Sequence, residues 1–187
     1  MTTILGYLVL AGFFLTESRI RTGQEAKSFE RGQFDRRSTA TIGIAYLIST
    51  LALIASWFLN KFKIGTLPAW VGWLGIIVAL CGLLIRWWAN RALGAFYTRT
   101  LKVAENQTII RAGPYRLIRH PGYLGSILMW TGVATATANW IVILITLAAM
   151  FSAYIYRIQS EEKMLLTTNA EYVEYRKHTW KLIPFLY

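Results

Sequence analysis

The stretch PGYLGSILMWTGVATATANWIVILITLAAMFSAYIY, residues 121–156, contains no charged residue, and its length decides the architecture. A helix needs about 20 mostly apolar residues to cross roughly 30 Å of hydrocarbon, where only a helix or a closed barrel satisfies its own backbone. The run is long enough for two crossings and breaks at its most polar part, Thr135-Ala-Thr-Ala-Asn139. The expected form is a tight helical hairpin of two somewhat short helices, residues 122–136 and 140–156.

Upstream, residues 39–59 carry no charge and residues 67–89 carry only Arg86. Residues 4–15 make a shorter apolar run. No Lys or Arg precedes Arg19 and no cleavage pattern follows Leu15, which argues against a cleaved signal peptide and for a thin first helix. With 55% hydrophobic residues and a mean hydropathy of +0.40, the chain is too apolar for a soluble domain. The sequence therefore predicts an all-α integral membrane protein with about five transmembrane helices, the last two paired as the hairpin, followed by a cytosolic C-terminal helix.

The net charge of +11 is a topology signal. Seventeen of the 20 Lys and Arg fall in residues 16–38, residues 90–120 and the tail after residue 156; Lys61 and Lys63 lie on the opposite side, and Arg86 near the inner end of its helix. Cytosolic loops hold the basic excess, so the N-terminus is expected outside and the C-terminus inside, which requires an odd number of crossings. Nucleic-acid binding is disfavoured, because these basic clusters abut hydrocarbon-length segments and face anionic headgroups instead. Arg86, beside Trp87 and Trp88, is expected to snorkel toward an interfacial aromatic belt. The single cysteine, Cys81, rules out an internal disulfide and a cysteine zinc cage, so no metal site is expected. Gly72, Gly75 and Gly82 suit close helix packing, within the chain or between two copies. Residues 16–38, mixed in charge, read as an interfacial helix or an ordered cap.

Chemistry has two places to reside. The loop from Gln107 to Tyr123 turns at Gly113-Pro114 and brings Tyr115, Arg116, Arg119, His120 and Tyr123 to the start of the fourth helix, where Pro121 is tolerated and exposed N–H groups welcome a carboxylate. The second is the exit of the fifth helix, where Arg157 shares a face with Glu161 and Glu162 follows. Taken singly, these residues read equally well as interfacial anchors and solvated charges. The hairpin delivers both places to one cytosolic face, and together they suit a ligand with an amino group and hydroxyls, an aromatic base and a carboxylate.

These residues form a pattern: Gly113-x-Tyr115-x-x-x-Arg119-His120-Pro121-x-Tyr123, then Arg157-x-x-x-Glu161-Glu162-x-x-Leu165, then Glu171-Tyr172-x-x-Tyr175 and Ile183-Pro184. It resembles the isoprenylcysteine carboxyl methyltransferase family and related phospholipid methyltransferases, over roughly the C-terminal half. The resemblance implies a membrane methyltransferase that binds S-adenosyl-L-methionine and releases S-adenosyl-L-homocysteine, with residues 1–92 supplying three N-terminal transmembrane helices and residues 93–187 the methyltransferase core of one structural domain. It assigns cofactor binding to Gln107, Thr108, Ile109, Ile110, Tyr115, His120, Pro121, Gly122, Tyr123, Glu161 and Glu162, with Gln107 standing where the family commonly has histidine. Arg157, which orients the substrate in the family, and Arg119 are the catalytic candidates.

The expected acceptor is a lipophilic or lipidated substrate that enters sideways from the membrane lipids. No spare general base is evident, which favours a carboxyl acceptor already ionised at neutral pH. A phospholipid amine or small thiol is the alternative within the enzyme class. A non-enzymatic transporter or assembly subunit is the alternative outside it. The oligomeric state is not encoded in any readable feature.

Overall fold

The computed structural model describes residues 1–20, 35, 37–94 and 109–187. Among them are six α-helices: α1 (Thr2–Ile20), α2 (Ser38–Lys61), α3 (Ala69–Leu93), α4 (Pro121–Ala136), α5 (Trp140–Thr168) and α6 (Ala170–Lys177). A 3₁₀ turn at Gly113–Arg116 precedes α4. Helices α2, α3 and α5 are long and apolar enough to cross a membrane. In α1 the apolar part is shorter, Thr2–Leu15, and α4 has 16 residues, about 24 Å of helix. The protein is a multi-pass membrane protein.

The hairpin forms where the sequence predicted it. Asn139 caps α5, its Oδ1 accepting from the Ile141 and Val142 amides, while its Nδ2 donates to Asn60 Oδ1 at 2.9 Å and to the Ile64 carbonyl at 2.8 Å. One asparagine thus starts α5 and ties the turn to the end of α2 and the α2–α3 loop. Helix α5 runs past the charge-free stretch to Thr168, because nothing breaks helical propensity before Asn169.

Helices α3 and α4 touch backbone to backbone. A Cβ added at Gly82 would lie 2.3 Å from the Met129 amide nitrogen, and one at Gly132 2.3 Å from that of Ala79. A Cβ at Gly75 would lie 2.3 Å from the Ala136 amide nitrogen, and one at Gly125 2.7 Å from that of Arg86. The close packing suggested by Gly75 and Gly82 is therefore intramolecular in this structure, and Gly125 and Gly132 are the complementary half of the seam. Between lipid-solvated helices, where no hydrophobic driving force operates, such close van der Waals contact is a main source of cohesion.

Arg86 departs from the sequence expectation. It is buried and turned inward, with Nη1 donating to the Gly122 carbonyl at 3.1 Å and to Ser126 Oγ, and its guanidinium lies over the Phe13 ring at 5.2 Å. Close approach of α4 across the glycine seam puts acceptors nearer than the membrane surface, so snorkelling is unnecessary. Trp87 and Trp88 face outward, as an aromatic belt requires.

Candidate functional site

One end of the bundle gathers the start of α2, the ends of α3 and α5, and the start of α4. His120 is the N-cap of α4 and is buried. Its ring stacks parallel to Tyr123, one turn on, with centroids 5.5 Å apart. Its Nε2 lies 3.3 Å from Glu162 Oε1, and its Nδ1 3.8 Å from Glu161 Oε2. The histidine turn and the acidic pair therefore meet, as the hairpin topology required.

The two acids are used differently. Glu162 Oε1 accepts from Arg119 Nε at 2.8 Å and from Tyr172 Oη at 3.2 Å, and Oε2 faces Lys181 Nζ at 3.7 Å. It is the anchor for the segment after α6. Arg119 completes that anchor by donating to the carbonyls of Arg176 and Thr179. The segment then runs beside residues 117–120: Arg119 N–H donates to the Trp180 carbonyl, His120 N–H to that of Lys181, and Trp180 N–H to that of Leu117. Tyr175 Oη donates to the Tyr115 carbonyl at 2.6 Å, fixing the 3₁₀ turn to α6. Burial pushes the phenol of Tyr175 up to about 12 and that of Tyr172 further, so both remain neutral donors at neutral pH.

Glu161 is more open. Its Oε2 accepts from Tyr123 Oη at 2.6 Å, and its Oε1 has no hydrogen-bond partner among the described residues. Tyr123 Oη in turn accepts from Arg157 Nε at 3.3 Å. The predicted sharing of a helix face by Arg157 and Glu161 is realised through this tyrosine hydroxyl.

Arg157 reaches a partner the sequence reading missed. Its Nη1 donates to Asp35 Oδ1 at 3.1 Å, Ser38 Oγ at 2.8 Å and Thr39 Oγ1 at 3.0 Å. Asp35 also caps α2 by accepting from Thr39 N–H. Burial pushes the Asp35 carboxyl up, but hydrogen bonds from Ser38 and Thr39 and the Arg157 charge outweigh it, so the group lies below its ordinary value and is ionised at neutral pH. Its Oδ2 is buried without a hydrogen-bond partner among the described residues. The missed signal was a lone acid just before the apolar run at Ser38, the local form of a helix cap.

The first turn of α4 offers fewer donors than the sequence suggested. The amides of Arg119 and His120 are taken by the segment after α6, and those of Tyr123 and Leu124 fold back on the His120 carbonyl. The Gly122 amide is left unengaged among the described residues. Pro121 is buried beneath it. Ile109 packs against Met164, Leu165, Tyr172 and Tyr175, and Ile110 is half-buried beside it in sequence. Gln107 and Thr108 lie outside the described residues.

A family model, phospholipid methyltransferase, matches residues 70–170, just over half of the chain. Protein-S-isoprenylcysteine O-methyltransferase A of Arabidopsis thaliana is 28% identical over 63% of this chain and 61% of its own length. The cobalt-zinc-cadmium resistance protein CzcN of Cupriavidus metallidurans is 29% identical over 78% of this chain and 64% of its own. The chain thus spans about six-tenths of the length of these curated relatives. The solved structure of the eukaryotic intramembrane Ras methyltransferase ICMT, isoprenylcysteine carboxyl methyltransferase, superposes with a TM-score of 0.65 at 20% identity, covering 97% of this chain and 68% of that one, and so shares the fold. The matched segment holds the glycine seam, the histidine turn and both acids, and on that match the chain belongs to the phospholipid methyltransferase family.

Proposed function

We propose that this protein is a membrane-embedded methyltransferase that binds S-adenosylmethionine between the histidine turn and Glu161, and methylates a lipophilic acceptor, with a carboxyl group of the isoprenylcysteine kind favoured. The observation that carries this reading is the open Oε1 of Glu161, held beside the Tyr123–His120 stack inside the family-matched segment.

The donor set fits the cofactor. Glu161 offers a carboxylate oxygen for an ammonium or ribose hydroxyl, the Gly122 amide offers a donor for a carboxylate, and Tyr115, Ile109 and Ile110 supply apolar walls. Pro121 sets the turn, and Gln107 and Thr108, outside the described residues, are the other assigned contacts. When bound, the cofactor supplies a methyl group on a positively charged sulfur. Arg157, pinned by Asp35 on one side and Tyr123 on the other, is placed to orient the acceptor's polar end. Arg119 acts through the anchor it makes with Glu162. Catalysis on this reading is chiefly alignment, which can be worth roughly 7–11 kcal/mol.

The carboxyl preference follows from the engaged histidines: His120 faces both acids, and His178 is exposed and bonded to Glu174. Neither is a free base, and a carboxylate needs none. One observation favours a phospholipid acceptor instead, namely the match of residues 70–170 to the phospholipid methyltransferase model.

In the proposed membrane arrangement α1 and α4 cross together with α2, α3 and α5, giving five crossings, with the N-terminus outside and the site at the cytosolic surface. The test is transfer of radiolabelled methyl from the cofactor to S-prenylated cysteine and to phosphatidylethanolamine in vesicles. Methylation of the prenylcysteine supports the carboxyl reading. Methylation of the phosphatidylethanolamine amine instead supports the alternative. Transfer to neither from membrane extracts would overturn the activity.

A further inference from the structure

The segment after α6 has two unlike faces. One is structural: Leu182 is 1% exposed and belongs to the main core with Phe13 and Trp130, Ile183 packs on it, and Lys181 faces Glu162. The Leu182 and Ile183 amides both donate to the Tyr187 carbonyl, closing a turn that presents the residues between them outward. The other face is apolar and open. Trp180 is 42% exposed, Phe185 85% and Leu186 81%, and the Trp180 and Phe185 rings lie 5.4 Å apart. Leu117, whose carbonyl receives the Trp180 amide, is exposed next to them.

The level of this patch in the molecule identifies what covers it. Trp180 and Lys181 are hydrogen-bonded through their carbonyls to Arg119 and His120, the residues immediately before α4 enters the bundle. The patch therefore sits where α4 enters the bundle, level with the end of α3, a helix long and apolar enough to cross a membrane. The exposed Trp87 and Trp88 of α3 belong to the same level, since Gly113 of the adjoining turn lies against Trp88. Exposed Arg116 and half-buried Lys181, with its ammonium 4.4 Å from the Tyr187 ring, add positive charge at that height. Helix α6, just upstream, is different: Glu174, Lys177 and His178 are exposed and paired with one another, as a water-facing surface would be.

We propose that residues 180–187 form a foot that inserts into the interfacial layer of the leaflet where α4 starts. Tryptophan and tyrosine are amphipathic rings suited to headgroup depth, and the flanking cations favour anionic lipid. Phe185 and Leu186 reach the acyl boundary, and the foot continues the lipid-facing belt begun by Trp87 and Trp88. Because the same segment holds Arg119 and Glu162, the foot fixes the floor of the site to the bilayer surface. This proposal does not depend on the methyl-transfer reading.

Spin labels measure the depth directly. In a Cys81→Ala background, Trp180→Cys and Leu186→Cys are labelled with nitroxide and reconstituted into phosphatidylcholine vesicles with and without phosphatidylglycerol. Lys177→Cys gives the aqueous reference, and native Cys81, exposed on α3, gives the hydrocarbon reference. The expected result is an oxygen-to-nickel-chelate accessibility ratio at both positions several-fold above that at residue 177 and below that at residue 81, rising further with phosphatidylglycerol. Ratios equal to that at residue 177 would overturn the proposal. Spin–spin broadening with low access to both reagents would also overturn it, since a second copy would then cover the patch.

Discussion

Two adjacent glutamates at the end of one helix look interchangeable in sequence, yet each points to a different neighbour. Glu162 collects Arg119, His120, Tyr172 and Lys181, whereas Glu161 keeps one oxygen open. The first is held by neighbouring side chains on both oxygens. Replacing it by glutamine leaves Arg119 without its charge partner at a site where the side chains are 8% and 10% exposed. Losing such a charged hydrogen bond costs about 1–3 kcal/mol. Glu162→Gln should therefore lower the Tm of the detergent-solubilised protein by roughly 2–4 °C for each kcal/mol lost, and thermal unfolding followed by tryptophan fluorescence reads it. An unchanged Tm would mean that the anchor is dispensable. Asp35 makes the complementary point. Its role rests on a contact 122 residues away in the chain, which no local pattern reveals.

At the scale of elements, helices were legible because hydrocarbon length and missing charge leave few alternatives. The hairpin break at Thr135–Asn139 was legible for the same reason. The ends were not: α1 reaches Ile20 and α5 reaches Thr168, past the point where apolar content falls, because helical hydrogen bonding continues wherever propensity permits. The inward turn of Arg86 was hidden too, since it follows from how closely two backbones approach. That approach makes a sharp prediction. Gly82→Leu or Gly132→Leu drives a side chain into backbone atoms at 2.3 Å and should cost at least about 1–3 kcal/mol, seen as a lower Tm and reduced yield of folded protein. Gly43→Ala, where nothing lies within 4 Å, should be neutral or slightly stabilising. Equal effects at the three positions would contradict the seam.

For the whole molecule, the functional end is set by how the chain crosses the membrane. In the proposed arrangement the basic residues put the α2–α3 loop and α6 on opposite sides. In whole cells and in a Cys81→Ala background, Lys63→Cys should react with an impermeant maleimide, and Lys177→Cys only after permeabilisation. The reverse labelling would invert the topology. The site itself was half legible in the sequence: the histidine turn and acidic pair could be named, and their meeting inferred from the hairpin. Which acid is taken up by neighbouring side chains, and what steadies Arg157, depended on packing among α2, α4 and α5.

The measurement closest to the central claim is calorimetric titration of the purified protein with S-adenosylmethionine, alongside Glu161→Gln and Tyr123→Phe. Saturable binding by the native protein, weakened about tenfold or more in both variants, is the expected result, since each removes one charged or shared hydrogen bond worth about 1.5–3 kcal/mol. No binding by a folded native protein, or full affinity in both variants, would contradict a cofactor site between the histidine turn and Glu161.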